Sequence, residues 1–263
     1  MGFCAVDFRT KLLVLFVALV VWMSAGRAQA SVVITGTRVI YPEMEREVTV
    51  KLNNDGNTPA LVQVWLDDGN PKTLPSESKV PFTVMPPLFR LDPKKGQGLR
   101  LFYMHDPLPK DRESVFWLNV LEVPPRDAPA GTDGGMNKLR LAFRTRIKVF
   151  FRPIGLKGKP DDAAAQIRWR LVSKGDGDYA LEAFNPTPYY VSFSRIVATA
   201  GGLHWTGEKG GMVNPESTAS FDVGHLQAMP SAPVAVKYTY INDFGANVAG
   251  TPNPLPNHRS AIS

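Results

Sequence analysis

Side chains able to cut or transfer bonds are scattered along this chain. His105, His204, His225 and His258 stand far apart, and the one cysteine is Cys4. No nucleophile elbow, His-rich metal motif or glycine-rich phosphate loop occurs. A pair of histidines or of carboxylates brought together by folding is what stays open for an enzyme. The residues whose pattern does suggest chemistry are 138–152, KLRLAFRTRIKVFFR. The odd positions carry Leu139, Leu141, Phe143, Ile147, Val149 and Phe151, with Thr145 the one polar member. The basic residues, Lys138, Arg140, Arg144, Arg146, Lys148 and Arg152, are all even, and no acid intervenes. As one strand this segment would run roughly 50 Å, against about 5–6 residues in an ordinary strand.

Such a strand offers binding rather than bond-making. An exposed edge with alternating apolar side chains needs a partner or becomes an aggregation hazard. Donated to another sheet, it supplies main-chain hydrogen bonds for affinity and alternate side chains for pockets. The other reading puts Leu139, Leu141 and Phe143 in the protein's own hairpin core and leaves the basic face solvated.

The elements around this segment are strands. Val48, Val50 and Leu52 alternate within 46–53, Val62, Val64 and Leu66 within 60–67, and Leu99, Leu101 and Tyr103 within 98–104. Residues 114–123, SVFWLNVLEV, form a strongly apolar strand that pattern alone buries on both faces. Asn-Asp-Gly at 54–56, Asp-Asp-Gly at 67–69 and Pro-Pro at 86–87 and 124–125 punctuate the series. Period-2 runs separated by turn residues predict an all-β chain of sandwich type. A Pro-, Gly- and charge-rich break at 153–162 divides it, and further strands are expected at 166–172, 179–184, 189–197, 218–223 and 234–241. Trp65, Trp117, Trp169 and Trp205 read as core. The expected domains are 31–153 and 157–250, with 251–263 a frayed tail.

Residues 1–30 have the anatomy of a secretory signal: Arg9 and Lys11, the apolar run 12–25, then Ala28-Gln29-Ala30. The apolar run is shorter than the ~20 residues that span a bilayer. Cleavage after Ala30 removes Cys4 and leaves 27 basic against 23 acidic residues, a balance of +4. That mild surplus on an exported chain does not call for nucleic acid. The absence of a remaining thiol excludes a disulfide framework.

Five motifs together are similar to one family. They are Asp111-Arg112-Glu113-Ser114 with its apolar strand, Val123-Pro124-Pro125-Arg126, 145–153 (TRIKVFFRP), 185–191 (NPTPYYV) and 240–245 (YINDFG). The chain resembles the periplasmic pilus-assembly chaperones of the chaperone–usher pathway (PapD-like). The resemblance implies two immunoglobulin-like β-sandwich domains in a boomerang and no enzymatic activity or cofactor. It implies capture of fimbrial or pilus subunits, whose own sandwich lacks its last strand, by donation of the long strand, followed by delivery to an outer-membrane usher. An adhesin client and self-association through the strand edge are further partners it allows.

By motif, Arg38 and Lys148 match the pair that holds the carboxylate at the end of the subunit's chain. Leu139, Leu141 and Phe143 match the groove-filling positions, Phe143 being aromatic where the family has an aliphatic residue. Glu113, Arg152 and Asp243 match the interdomain salt bridge. A cis peptide before Pro86 or Pro87 is expected on the same ground. The 127–144 loop favours the short-loop branch that serves rod-like pili and fimbriae. A secreted sandwich that binds carbohydrate or metal is the alternative outside this family.

Overall fold

A computed structural model describes residues 31–123, 141–200, 203–207, 210–226, 230, 234–250 and 253–254. Leu139, most of the 127–144 loop and nearly all of the expected tail lie outside the described residues. So do residues 1–30.

The first half of the chain forms β1 (Val32–Ile34), β2 (Arg38–Pro42), β3 (Val48–Asn54), β4 (Ala60–Asp67), β5 (Phe82–Met85), β6 (Leu88–Leu91), β7 (Gly96–Tyr103), β8 (Ser114–Val123) and β9 (Phe143–Arg152). One sheet has the order β1-β3-β7-β5 and the other β2-β9-β8-β4-β6. Gly36, at φ 103°, lets the first strand cross from one sheet to the other. On the second sheet β2 runs parallel to β9, in register from Arg38 opposite Lys148 to Pro42 opposite Arg152. The Met85–Pro86 bond is cis.

Alternation decides what fills this sandwich. Val50, Leu52, Val62, Val64, Leu99 and Leu101 all turn inward and are buried together, as a strand with one dry face requires. Tyr41, Phe82, Phe116 and Phe151 add an aromatic cluster, with Phe82 and Phe116 centroids 5.0 Å apart. The Tyr41 hydroxyl accepts from the Tyr103 amide and donates to the Arg46 carbonyl, each at 3.1 Å, so its polar tip is satisfied.

The second half begins with a single turn, α1 (Pro160–Ala163), and continues with β10 (Arg168–Gly175), β11 (Asp178–Asn185), β12 (Val191–Ala200), β13 (Leu203–Gly207), β14 (Gly211–Val213), β15 (Ser217–His225), β16 (Ala235–Ile241), β17 (Asn247–Ala249) and β18 (Asn253–Pro254). Strands β10-β11-β15 face a sheet built on β13-β12-β16-β17, which β14 and β18 join at its sides. Trp169, Phe193 and Tyr238 centre its core. Buried Asn185 donates to the Tyr189 carbonyl at 2.7 Å and its Oδ1 accepts from the Thr187 amide at 3.0 Å, which fixes the turn leading into β12. Among the described residues no helix is long and apolar enough to cross a membrane.

Three expectations from the sequence need correction. Among the described residues the long strand begins at Phe143, not at Leu141. Its antiparallel partner β8 ends at Val123, so pairing stops where Glu122 opposes Phe143. Trp117 is not a core residue, and Trp65, though buried, stands apart from the core cluster. They lie on the outer face of the second sheet, where arginines cover them. The basic face of β9 is accordingly not a solvated face: Arg144 and Arg146 are stacked and hydrogen-bonded.

Candidate functional site

The cleft between the two sandwiches gathers the residues singled out by type. Arg38 and Lys148 stand side by side on β2 and β9, whose backbones run about 4.8 Å apart. Lys148, Phe150 and Arg152, the even positions at the end of β9, point out of the first core toward the second domain. There Phe150, the one large apolar residue on that face, packs on Tyr190 at 5.5 Å between centroids, with the Arg38 guanidinium 5.5 Å from its ring. Arg38 Nη1 donates to the Ile241 carbonyl at 2.9 Å, and its buried Nε–H has no acceptor. Lys148 Nζ reaches the Ser192 hydroxyl at 3.4 Å.

Among the described residues neither cation has a carboxylate within ion-pair distance. The cleft therefore holds an excess of positive charge and donors. Burial, with the Arg38 charge beside it, brings the Lys148 ammonium down to about 8. Burial also lowers Arg38, against the pull of Asp243 and Glu113. Two partly buried cations without a counterion form a site for an anion whose geometry can meet both.

Arg152, at the end of β9, joins the domains. Its Nε donates to Glu113 Oε1 at 2.7 Å, and Nη1 donates to Asp243 Oδ2 at 2.7 Å. Glu113 is 3% exposed. Its second oxygen accepts from the Tyr190 amide at 2.8 Å, so a carboxylate of the first domain grips the backbone of the second. Burial pushes the Glu113 carboxyl up despite Arg152, whereas the two acids hold Arg152 protonated against burial. Gly245 allows the Asn242–Gly245 turn, which presents Asp243, to lie against Thr37. A Cβ there would stand 2.5 Å from the Thr37 hydroxyl.

The leading half of β9 differs from its trailing half. Among the described residues, 148–151 pair with β8 on one side and β2 on the other, Arg152 with β2, and 143–147 with β8 alone. Ile147, Val149 and Phe151 fill the first core. Phe143, on the same face, is half-buried, and Leu141 is 49% exposed and outside that core. Leu139 lies outside the described residues. Reading by type alone missed Tyr190, Ser192 and the Ile241 carbonyl. Phe150 could have been found, because it breaks the basic alternation of its face.

Two immunoglobulin-like sandwiches, hinged at a cationic cleft into which a half-paired edge strand leads, define a binding protein rather than an enzyme. Residues 31–157 match the family described as pili and flagellar-assembly chaperone, PapD N-terminal domain, and 162–252 match the pili assembly chaperone PapD, C-terminal domain. The chain belongs to this family of periplasmic pilus-assembly chaperones. It is 45% identical over 225 residues to the chaperone protein FimB/FhaD of Bordetella pertussis, covering 84% of this chain and 87% of that one. It is 46% identical over 222 residues to the probable fimbrial chaperone YadV of Escherichia coli, covering 84% and 89%. The crystal structure of YadV superposes with a TM-score of 0.72 at 43% identity, over 86% of this chain and all of that one. The SafB chaperone, solved in complex with the SafA pilin of Salmonella enterica, superposes with a TM-score of 0.67 at 31% identity, over 87% and 97%. Non-enzymatic chaperoning of pilus and fimbrial subunits is thus the activity of this protein.

Proposed function

We propose that this chaperone captures a subunit by laying the leading half of β9 into the open groove of the subunit's sandwich. Leu139, Leu141 and Phe143 fill the groove, and Arg38 with Lys148 holds the subunit's terminal carboxylate. The observation that carries this reading is the change along β9 at Lys148. Beyond it the strand is paired on both sides and fills its own core. Before it one edge is bare among the described residues, and N-terminal to Ile147 the same-face side chains leave that core. A subunit strand added to the bare edge would gain backbone hydrogen bonds and pockets at alternate residues. The cation pair at the boundary would fix register, since a slip of one residue turns every apolar side chain away. Glu113, Arg152 and Asp243 act here as the brace that keeps the second-domain wall of the cleft facing Arg38.

Carboxylate binding must recharge Lys148. In the free protein the ammonium sits at about 8. A bound carboxylate raises it, so capture at pH 8 takes up roughly half a proton. Uptake falls toward zero below about pH 7, where the lysine is already charged. Affinity weakens as pH rises through the free-state value, because the charged form must then be restored. Calorimetry of capture in buffers of different ionisation enthalpy reads this directly, with the co-purified subunit as titrant. Lys148→Met removes the uptake and weakens capture by about tenfold or more. Equal proton uptake by wild type and variant would remove Lys148 from the anchor.

On the same reading the exported precursor is cut after Ala30. The Ser31 nitrogen lies 3.0 Å from Oε2 of the buried Glu122, which also accepts from the Val32 amide at 3.0 Å. A new α-ammonium at Ser31 would meet a carboxylate already in place. A mature mass beginning at another residue would remove this assignment. Membership of the short-loop branch is supported only by the length of the 127–144 loop in the sequence.

A further inference from the structure

The outer face of the second sheet carries an arrangement that neither the groove-filling side chains nor the carboxylate anchor uses. Three strands bring it together in register. Trp65 opposes Asn119, which opposes Arg146, and Asp67 opposes Trp117, which opposes Lys148. The Arg146 guanidinium lies 4.2 Å from the Trp117 ring centroid and that of Arg144 lies 4.7 Å from Trp65.

Beneath them is a fully buried carboxylate, Asp67. Arg146 grips it with Nε at 3.1 Å and with Nη2, the Asn119 amide donates at 2.7 Å, and the Gly69 amide donates at 2.7 Å. Asn119 passes the link on: its Oδ1 accepts from Arg144 Nε at 2.9 Å, and Arg144 Nη1 donates to the Pro71 carbonyl at 2.6 Å. Burial pushes the Asp67 carboxyl up, but these donors outweigh it and hold the group below the usual carboxylate range. The charge is therefore kept where it ties two arginines down.

Both arginines belong to the half of β9 that has one bare edge. A half-paired strand end frays unless its side chains are held, and a frayed strand must be ordered again on binding. We propose that Asp67 and Asn119 are positioning residues for strand donation, holding Arg144 and Arg146 flat on Trp65 and Trp117 so that the free half of β9 stands extended before its client arrives. Phe143 and Thr145 then face the opposite side, available to the groove. Trp117 links the clamp to the anchor, because Lys148 Nζ also lies 5.5 Å from its ring. This inference rests on β9 being the donated strand.

The test uses the full mature chain carrying Arg144→Lys with Arg146→Lys, which keeps both charges but loses the planar fork and stack. Asp67→Asn is the second variant. Amide exchange is followed along β9 in the free protein. Capture is timed with the subunit that co-purifies with the wild type, unfolded and then presented to each protein. The expected result is about tenfold faster exchange at those amides of 143–147 that bond β8, with 148–152 unchanged. Capture is expected to slow by about tenfold, while the formed complex dissociates at the wild-type rate, because the subunit then holds the strand. A merely structural contact would loosen β8 and both halves of β9 together. Wild-type exchange at 143–147 in the lysine variant overturns the proposal. So does faster exchange with an unaltered capture rate. If the wild type captures no subunit, the strand-donation reading fails instead, and exchange in the free protein decides the clamp alone. If Asp67→Asn does not fold, the lysine variant gives the decision.

Discussion

Truncating Leu141 and Phe143 together to alanine lowers subunit affinity by on the order of 10 to 10², while the free chaperone unfolds at nearly the same denaturant concentration. Full burial of a large apolar side chain contributes roughly 1.5–3 kcal/mol. Leu141 starts 49% exposed, so most of its gain comes only when the groove closes over it. Phe143 is already half-buried at the end of the β8–β9 ladder, and its share is smaller. Together they account for about 1.5–3 kcal/mol of capture, a tenfold change being about 1.4 kcal/mol. In the free protein neither side chain belongs to the core cluster, and surface substitutions of this kind cost within about 0.5 kcal/mol each. Urea unfolding and a subunit titration separate the two effects. If the double variant keeps wild-type affinity, the groove is filled by other residues and the donated segment has been misassigned. If it loses affinity and stability equally, the side chains belong to the protein's own core.

Arg152→Ala gives the largest loss of stability. It strips the principal partner from Glu113, which is 3% exposed, and leaves the Tyr190 amide as the remaining hydrogen-bond donor to its carboxylate. Removing one member of a buried ion pair costs about 3–5 kcal/mol, chiefly because the other charge stays buried and uncompensated. The intact network need not stabilise the fold by that amount, since desolvation offsets much of the attraction. Two consequences distinguish these contributions. Adding Glu113→Gln to Arg152→Ala recovers part of the loss, because the stranded charge is gone. The pH dependence has a definite sign as well. Burial raises the Glu113 carboxyl in the folded state, so the folded protein binds the proton more tightly than the unfolded chain. Stability from this group is present at low pH and lost as pH rises through the folded value. Without Arg152 the carboxyl rises further, so the deficit of the single variant narrows as the solution is acidified. A deficit independent of pH, unrelieved by Glu113→Gln, would mean that Arg152 acts through packing on Tyr189, whose ring lies 5.4 Å from its guanidinium. Capture falls with stability, because Arg38 meets the second domain at the Ile241 carbonyl, close to Asp243.

Local pattern was enough for the class of fold, the inward residues of the central strands and the strangeness of β9. Val50, Leu52, Val62, Val64, Leu99 and Leu101 read inward from alternation because a sheet with one dry face leaves no other choice. The basic and apolar alternation of 138–152 marked an unusual strand but left two readings open, one offered to a partner sheet and one in the protein's own hairpin core. Resemblance, not spacing, picked out Arg38, since a single cation near a strand end carries no local signature. Short elements such as β5, β6 and β14 were invisible, because three or four residues cannot show a period. What each face of β9 meets depended on packing in three dimensions. Alternation says that Arg144, Arg146, Lys148 and Arg152 share a face, but not that the first two lie over tryptophans, the third over a cleft and the last against two acids. Those fates follow from which strands lie alongside and where a second domain is hinged. Contacts between residues up to 203 positions apart, such as Arg38 with Ile241, leave no trace in a local pattern. The fully buried Asp67 shows the same limit. In sequence it is one acid of an Asp-Asp-Gly turn, and only the packing of β4, β8 and β9 makes it the counterion of an edge strand.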